Sequence, residues 1–89
     1  MSQNKVTEAQ IEELMNTAEY TAATVYNKMT VVMCKLKNGF CITESSAAVD
    51  PANYDPEIGK DICLQRIRSK LWELEGYALQ KKLHEAIKE

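Results

Sequence analysis

The sequence predicts an α+β fold in which a helix precedes an antiparallel β-hairpin and a long helix follows it. Asn38-Gly39 stands between two β-prone runs, and this dipeptide is the strongest short-range hairpin signal. Apolar residues recur at helical spacing before and well after the hairpin. Two Asp-Pro pairs that follow the hairpin indicate the starts of helices. The chain has 89 residues, so we expect a single small domain, residues 1–89, because this length supports one core.

The first helix is predicted to begin at Thr7. The side chains of Thr7 and Gln10 fit a capping box, and Val6 and Ile11 fit the hydrophobic staple across it. Apolar residues then follow at helical spacing, and we expect this helix to end between Ala18 and Thr21.

The central part of the chain predicts a two-stranded ribbon. Residues 19–29 mix strand-prone and helix-permitting types, and we interpret them as a connector. A type I′ turn at Asn38-Gly39 would pair Leu36 with Cys41 and Lys35 with Ile42. One face would then carry Val32, Cys34, Leu36, Cys41 and Thr43. The other would carry Val31, Met33, Lys35, Lys37, Phe40, Ile42 and Glu44. This second face is apolar and basic, and it is predicted to meet a partner.

The C-terminal half predicts a short turn and one long helix. Residues 44–48 are small and predict a loop, after which Asp50-Pro51 predicts a single helical turn. Asp55-Pro56 begins the last helix, whose apolar stripe reaches Ile87, a span of roughly 50 Å at about 1.5 Å per residue. A monomer of this size cannot cover so long a helix. We therefore expect a homo-oligomer.

Composition narrows the class of protein. The formal net charge of -2 argues against bulk DNA or RNA binding. Residues 1–5 are polar and predicted to be disordered. The odd number of cysteines, without a signal peptide or a long apolar segment, indicates an intracellular protein with reduced thiols and no membrane contact. Cys34 and Cys41 are interpreted as small buried residues. His84 is the one histidine, so no metal site is predicted.

Catalytic signatures are missing, whereas basic residues cluster. There is no glycine-rich phosphate loop and no nucleophile–base pair, so the chain is predicted not to be an enzyme and to need no cofactor. Arg66 and Lys70 share one face of the long helix, with Arg68 close by. Together with the Phe40 ring, these cations suit a nucleotide's phosphates and base. The alternative is a solvated helix face paired with nearby carboxylates. Trp72 and Tyr77 are interpreted as core or interface residues.

A resemblance rests on an ordered set of segments. These are Lys37-Asn-Gly-Phe40, a Ser-Ser-Ala stretch, Asp50-Pro-Ala-Asn-Tyr-Asp-Pro-Glu-Ile-Gly59, and Leu71-Trp-Glu-Leu-Glu-Gly-Tyr-Ala-Leu79. From Thr30 to Leu83 the chain resembles a widespread family of small proteins of tailed phages and prophages. That family is similar to the Thoeris anti-defence sponges, which sequester cyclic ADP-ribose isomers, and in some cases cyclic oligonucleotides, without cleaving them.

The resemblance implies a ligand site and an assembly. Sponges form dimers that combine into hexamers, with pockets between subunits. Phe40 would be the stacking ring, the 50–54 loop a polar wall, and the cations of the long helix the phosphate ligands. The family pattern leads us to expect two arginines there, and this chain offers a lysine as one of the candidates. The implied ligand-binding residues are Asn38, Phe40, Asp50, Asn53, Arg66, Arg68 and Lys70.

The expected function is therefore sequestration of a cyclic nucleotide immune signal in the cytoplasm of the infected bacterial host. The alternative is a small phage protein-interaction module that inhibits a host protein. In that case Trp72, Tyr77 and the outer hairpin face would form its binding surface.

Overall fold

The computed structural model describes residues 4–87 and confirms the α+β class. Its elements are α1 (Glu8–Asn16), β1 (Glu19–Val25), β2 (Met29–Lys35), β3 (Cys41–Ala47), a 3₁₀ turn (Pro51–Asn53) and α2 (Pro56–Ile87). The strands form one antiparallel sheet in the order β1-β2-β3. The predicted disorder of residues 1–5 falls largely on residues 1–3, which lie outside the described part of the chain.

The helix starts lie where the sequence predicts them. The Thr7 hydroxyl accepts from the Gln10 amide at 3.2 Å, and the Gln10 side chain accepts from the Thr7 amide at 2.7 Å, which completes the capping box. Asp50 caps the 3₁₀ turn, and the Asp55 carboxylate accepts from the Glu57 amide at 2.9 Å at the start of α2. The first helix ends at Asn16, earlier than expected.

The interpretation of residues 19–29 as a connector is wrong. Glu19–Val25 is a full strand that pairs with β2, and Tyr26 and Asn27 turn the chain with φ values of 56° and 57°. Two consecutive left-handed residues make a tight hairpin turn. A tyrosine is an unusual residue at such a φ, and for this reason the sequence does not signal the turn.

The predicted hairpin register is also wrong, by one residue on β3. The Leu36 carbonyl accepts from the Gly39 amide and the Leu36 amide donates to the Phe40 carbonyl, both at 2.8 Å. This is a three-residue loop, Lys37 to Gly39, in which only Gly39 has a positive φ, 95°. Lys35 therefore pairs with Cys41, and Cys34 pairs with Ile42.

The shifted register exchanges the faces of β3. Ile42, predicted on the outer face, is 4% exposed and belongs to the core, whereas Cys41, predicted to be buried, is exposed. Strand alternation places Phe40 on the side of Ile42, not beside Lys35 as predicted. The predicted loop at residues 44–48 is likewise wrong, because β3 continues to Ala47.

One side of the sheet packs against α2. This helix contacts β2 and β3, and α1 packs against its flank. The buried core consists of Ile11, Val32, Cys34, Leu36, Ile42, Cys63, Ile67 and Leu71. The 32 residues of α2 end beyond the sheet, and Leu83 and Ile87 are exposed there. Among residues 4–87, no helix is both long and apolar enough to span a bilayer.

Candidate functional site

A groove runs between α2 and β3, and two cations line it. Arg66 and Lys70 are one helical turn apart on the side of α2 that faces β3. One Arg66 Nη donates to the Ser45 carbonyl at 2.6 Å, and Lys70 Nζ lies 3.9 Å from a Glu44 carboxylate oxygen. The groove has a volume of about 790 Å³ and is lined by Glu44, Ile62, Gln65, Arg66, Ser69, Lys70, Trp72 and Glu73. We call it the α2–β3 groove.

The chemistry of the α2–β3 groove suits a polar ligand that carries an aromatic ring. Trp72 is 38% exposed at one end and can stack on a base. The guanidinium of Arg66 retains donors beyond the one used by Ser45, and these can bind phosphate oxygens. The carboxylates of Glu44 and Glu73 would repel phosphate, but they can accept hydrogen bonds from ribose hydroxyls. The groove therefore offers separate positions for a base, a phosphate and a sugar.

Arg68 does not belong to this groove. It pairs with Glu12 of α1, on the opposite flank of α2, and both side chains are partly exposed. That flank bounds a second groove of about 450 Å³, whose lining includes Tyr20, Lys60 and Leu64. Because Arg66 lines the α2–β3 groove and Arg68 lines this second groove, the two arginines do not face one small ligand from the same side.

The hairpin turn holds two further predicted residues. The Asn38 side chain accepts from the Phe40 amide at 3.0 Å, which stabilises the turn. Phe40 is 50% exposed and lines neither groove. The register shift places Lys35 opposite Cys41, on the other face of the ribbon from Phe40. The role of Phe40 as a stacking ring stays a prediction.

The 50–54 loop approaches the α2–β3 groove through Asn53 and Tyr54. The Asp50 carboxylate is engaged with the Ala52 amide at 3.0 Å as a cap. Asn53 lines a small depression of about 150 Å³, which adjoins the α2–β3 groove because Ile62 lines both. Of the seven predicted ligand residues, the structure thus brings together Arg66 and Lys70, with Asn53 next to them.

Sequence reasoning missed the remaining groove residues. Gln65 and Ser69 are four apart and flank Arg66 and Lys70, so helical spacing could have identified them. Glu44 could not be identified, because its position depends on the register of β3. Trp72 is interpreted from the sequence as a core or interface residue, whereas it lines the α2–β3 groove together with these cations.

Burial makes two of the thiols poor nucleophiles. Burial raises the pKa of the Cys34 thiol. Burial also raises the pKa of the Cys63 thiol, because it outweighs the lowering effect of the nearby Arg66 guanidinium. Both are therefore protonated at neutral pH. Partial burial likewise raises the pKa of Tyr20. Within residues 4–87, no three His, Cys, Asp or Glu side chains are placed to hold a metal ion.

The chain matches the model of a known protein family. The family model described as phage protein (N4 Gp49/phage Sf6 gene 66) matches residues 6–83. No curated protein and no solved structure matches the chain.

Proposed function

The chain belongs to the N4 Gp49/phage Sf6 gene 66 family of phage proteins, and on this premise we propose that it binds and sequesters a cyclic nucleotide immune signal in the α2–β3 groove. The ligand is a cyclic ADP-ribose isomer or a cyclic oligonucleotide, which the protein holds without cleaving it. The place of action is the cytoplasm of the infected bacterial host, where the signal is made.

One observation carries the proposal: Arg66 and Lys70 share a groove with the half-exposed ring of Trp72. The guanidinium supplies directed donors to a pyrophosphate, and the ammonium supplies a second positive charge. Lys70 is held only loosely by Glu44, since the two charged groups are 3.9 Å apart and the lysine side chain is 48% exposed, and an ion pair of this kind is weak and screened by salt. A phosphate can therefore displace Glu44 from Lys70.

Assembly would improve the site. The α2–β3 groove is open to solvent along one side, and the part of α2 beyond the sheet exposes Tyr77, Leu83 and Ile87. A second copy that covers these residues would bury apolar surface and could close the groove. Closure excludes water, which strengthens the phosphate contacts and slows release of the ligand. Slow release is what sequestration requires, so we include a homo-oligomer, a dimer or a hexamer, in the proposal.

Calorimetry with glycocyclic ADP-ribose and with cyclic tri-adenylate tests the proposal. We expect saturable heat with at least one of them and loss of that heat in Trp72→Ala. Tyr26→Asn is the matched control, because Tyr26 is an exposed ring in the β1–β2 turn, outside the groove and outside the exposed surface of α2. Ligand recovered after heat denaturation should be chemically intact. Absence of heat with both ligands at roughly tens of micromolar, a range that detects specific small-molecule binding, would contradict the proposal.

The exposed apolar residues on α2 also favour a second candidate function, inhibition of a host protein. Trp72 and Tyr77 would then anchor the partner, since exposed aromatic residues are typical of binding hot spots. A pull-down from host cells that returns one stoichiometric protein and no small molecule would support this function over sequestration.

A further inference from the structure

The two edges of the sheet differ in how they are protected. In the order β1-β2-β3, both β1 and β3 are edge strands. At the β3 edge, Arg66 of α2 donates to the Ser45 carbonyl, and Lys70 reaches Glu44. A long cationic side chain that occupies a backbone acceptor obstructs strand addition at that edge. The protein's own helix therefore obstructs the β3 edge at Glu44 and Ser45.

The β1 edge lies away from α2, and its Tyr20 hydroxyl donates to the Met15 carbonyl of α1 at 2.6 Å. α2 packs on β2 and β3, and residues 19–24 of β1 are all exposed. The centre of the strand, Thr21-Ala22-Ala23-Thr24, is small and uncharged and contains neither proline nor lysine. Native edge strands usually carry a charge, a proline or a bulge that discourages pairing. Strand β1 therefore has the properties of an edge strand that pairs with a strand of another chain.

We propose that β1 pairs antiparallel with β1 of a second copy of this chain, about a two-fold axis at Ala22, to give a six-stranded sheet. In this register Tyr20 faces Thr24 of the second copy, and Glu19 faces its Val25. No like charges lie opposite each other, and the central side chains are small enough for close approach. The strand is thus complementary to itself in charge and in size.

The two α2 helices of such a dimer would not overlap above the sheet. A two-fold axis perpendicular to the sheet keeps both α2 helices on the same face. Because α2 lies over β2 and β3, the two helices would be about four strand spacings, roughly 19 Å, apart, whereas a helix is about 10 Å wide. This interface is separate from the one proposed at the exposed end of α2, because β1 and the α2–β3 groove lie at opposite edges of the sheet. It is also independent of the ligand.

Light scattering on the full chain tests the interface. We expect the wild type to have an even multiple of the 10.1 kDa chain mass, and Ala22→Lys to have half the wild-type mass, because two lysines would face each other across the axis. Thr43→Lys, an exposed position of the protected β3 edge, is the matched control and should keep the wild-type mass. A monomeric wild type, or an unchanged mass in Ala22→Lys, would overturn the inference.

A cross-link tests the register directly. In a Cys41→Ser background, Ala22→Cys should form a disulfide-linked dimer on oxidation, because directly opposed antiparallel residues are close enough to bridge. Thr43→Cys should not. Absence of the Ala22→Cys dimer from a folded protein would overturn the two-fold pairing. Calorimetry of Ala22→Lys with the nucleotides separates the two proposals. If the molecular mass is halved and the heat of nucleotide binding is retained, the result supports the interface and does not contradict sequestration.

Discussion

Arg66 and Arg68 are two residues apart in sequence but lie on opposite flanks of α2. Arg66 donates to the Ser45 carbonyl of β3, whereas Arg68 pairs with Glu12 of α1. The same helix thus uses one arginine to line the α2–β3 groove and the other to connect the two helices.

This relationship predicts that two matched substitutions affect different properties, nucleotide affinity for Arg66 and stability for Arg68. Arg66→Ala should weaken nucleotide binding by about tenfold or more, since a charge-assisted contact contributes about 1.5–3 kcal/mol. Arg68→Ala should leave that affinity unchanged and lower the free energy of unfolding by less than about 1 kcal/mol, as expected for an exposed ion pair. Calorimetry and thermal melts measure the two effects. Equal loss of affinity in both variants would place the ligand elsewhere.

The contact between α2 and β2 predicts a strong effect at Gly59. A Cβ on this residue would lie 2.9 Å from Thr30 Cβ, which belongs to a strand that cannot withdraw easily. We expect Gly59→Ala to destabilise the protein by about 1–3 kcal/mol, the usual range for overpacking. Gly76→Ala is the control, because nothing lies within 4 Å of its Cβ position, and it should stabilise the helix by about 0.5–1 kcal/mol. Urea unfolding of both variants checks the difference in sign.

The left-handed turn predicts a stabilising substitution at Tyr26. This residue has a φ of 56° and is 81% exposed, so its ring contributes little packing. Asparagine adopts this conformation more readily, and Tyr26→Asn should raise stability by about 1 kcal/mol, since the left-handed region costs an L-residue roughly 1–2 kcal/mol. Phe40→Asn, an aromatic at a position without positive φ, should show no such gain. A lower melting temperature for Tyr26→Asn would contradict the assigned turn.

The hairpin register predicts which thiol reacts. Cys41 is exposed, whereas Cys34 and Cys63 are buried, so a thiol reagent should label Cys41 in the native protein and the other two only after unfolding. With the type I′ register, Cys41 would be protected instead. Mass spectrometry of the labelled protein distinguishes the two registers.

The same thiols predict a loss of stability at alkaline pH. Burial raises the pKa of Cys34 and Cys63 in the folded state. Their contribution to the free energy of unfolding is therefore complete below the unfolded-state pKa of about 8.5. It is lost as the pH rises from there through the folded-state values, because the unfolded state releases its protons first. Unfolding free energies should fall above about pH 8.5, and less steeply in Cys34→Ala.

The sequence by itself determined the features that depend on neighbouring residues. Thr7 and Gln10, Asp50-Pro51 and Asp55-Pro56 start their elements as predicted, because a cap needs only a side chain and an amide two or three residues away. The apolar stripe of α2 likewise predicts the long helix, since helical periodicity is a local pattern. From these signals the helices and a β-hairpin follow.

Tertiary packing decided the rest. The register of β3 depends on whether Ile42 or Cys41 enters the core, and burial of Ile42 under α2 favours the three-residue loop over the shorter turn. Residues 19–25 become a strand only because β2 offers them a partner. The candidate site changed for the same reason: packing of α2 on β3 brings Ser45 and Glu44 to Arg66 and Lys70, and packing of α1 on α2 brings Glu12 to Arg68. Contacts between residues far apart in sequence leave no local pattern, and only the folded chain reveals them.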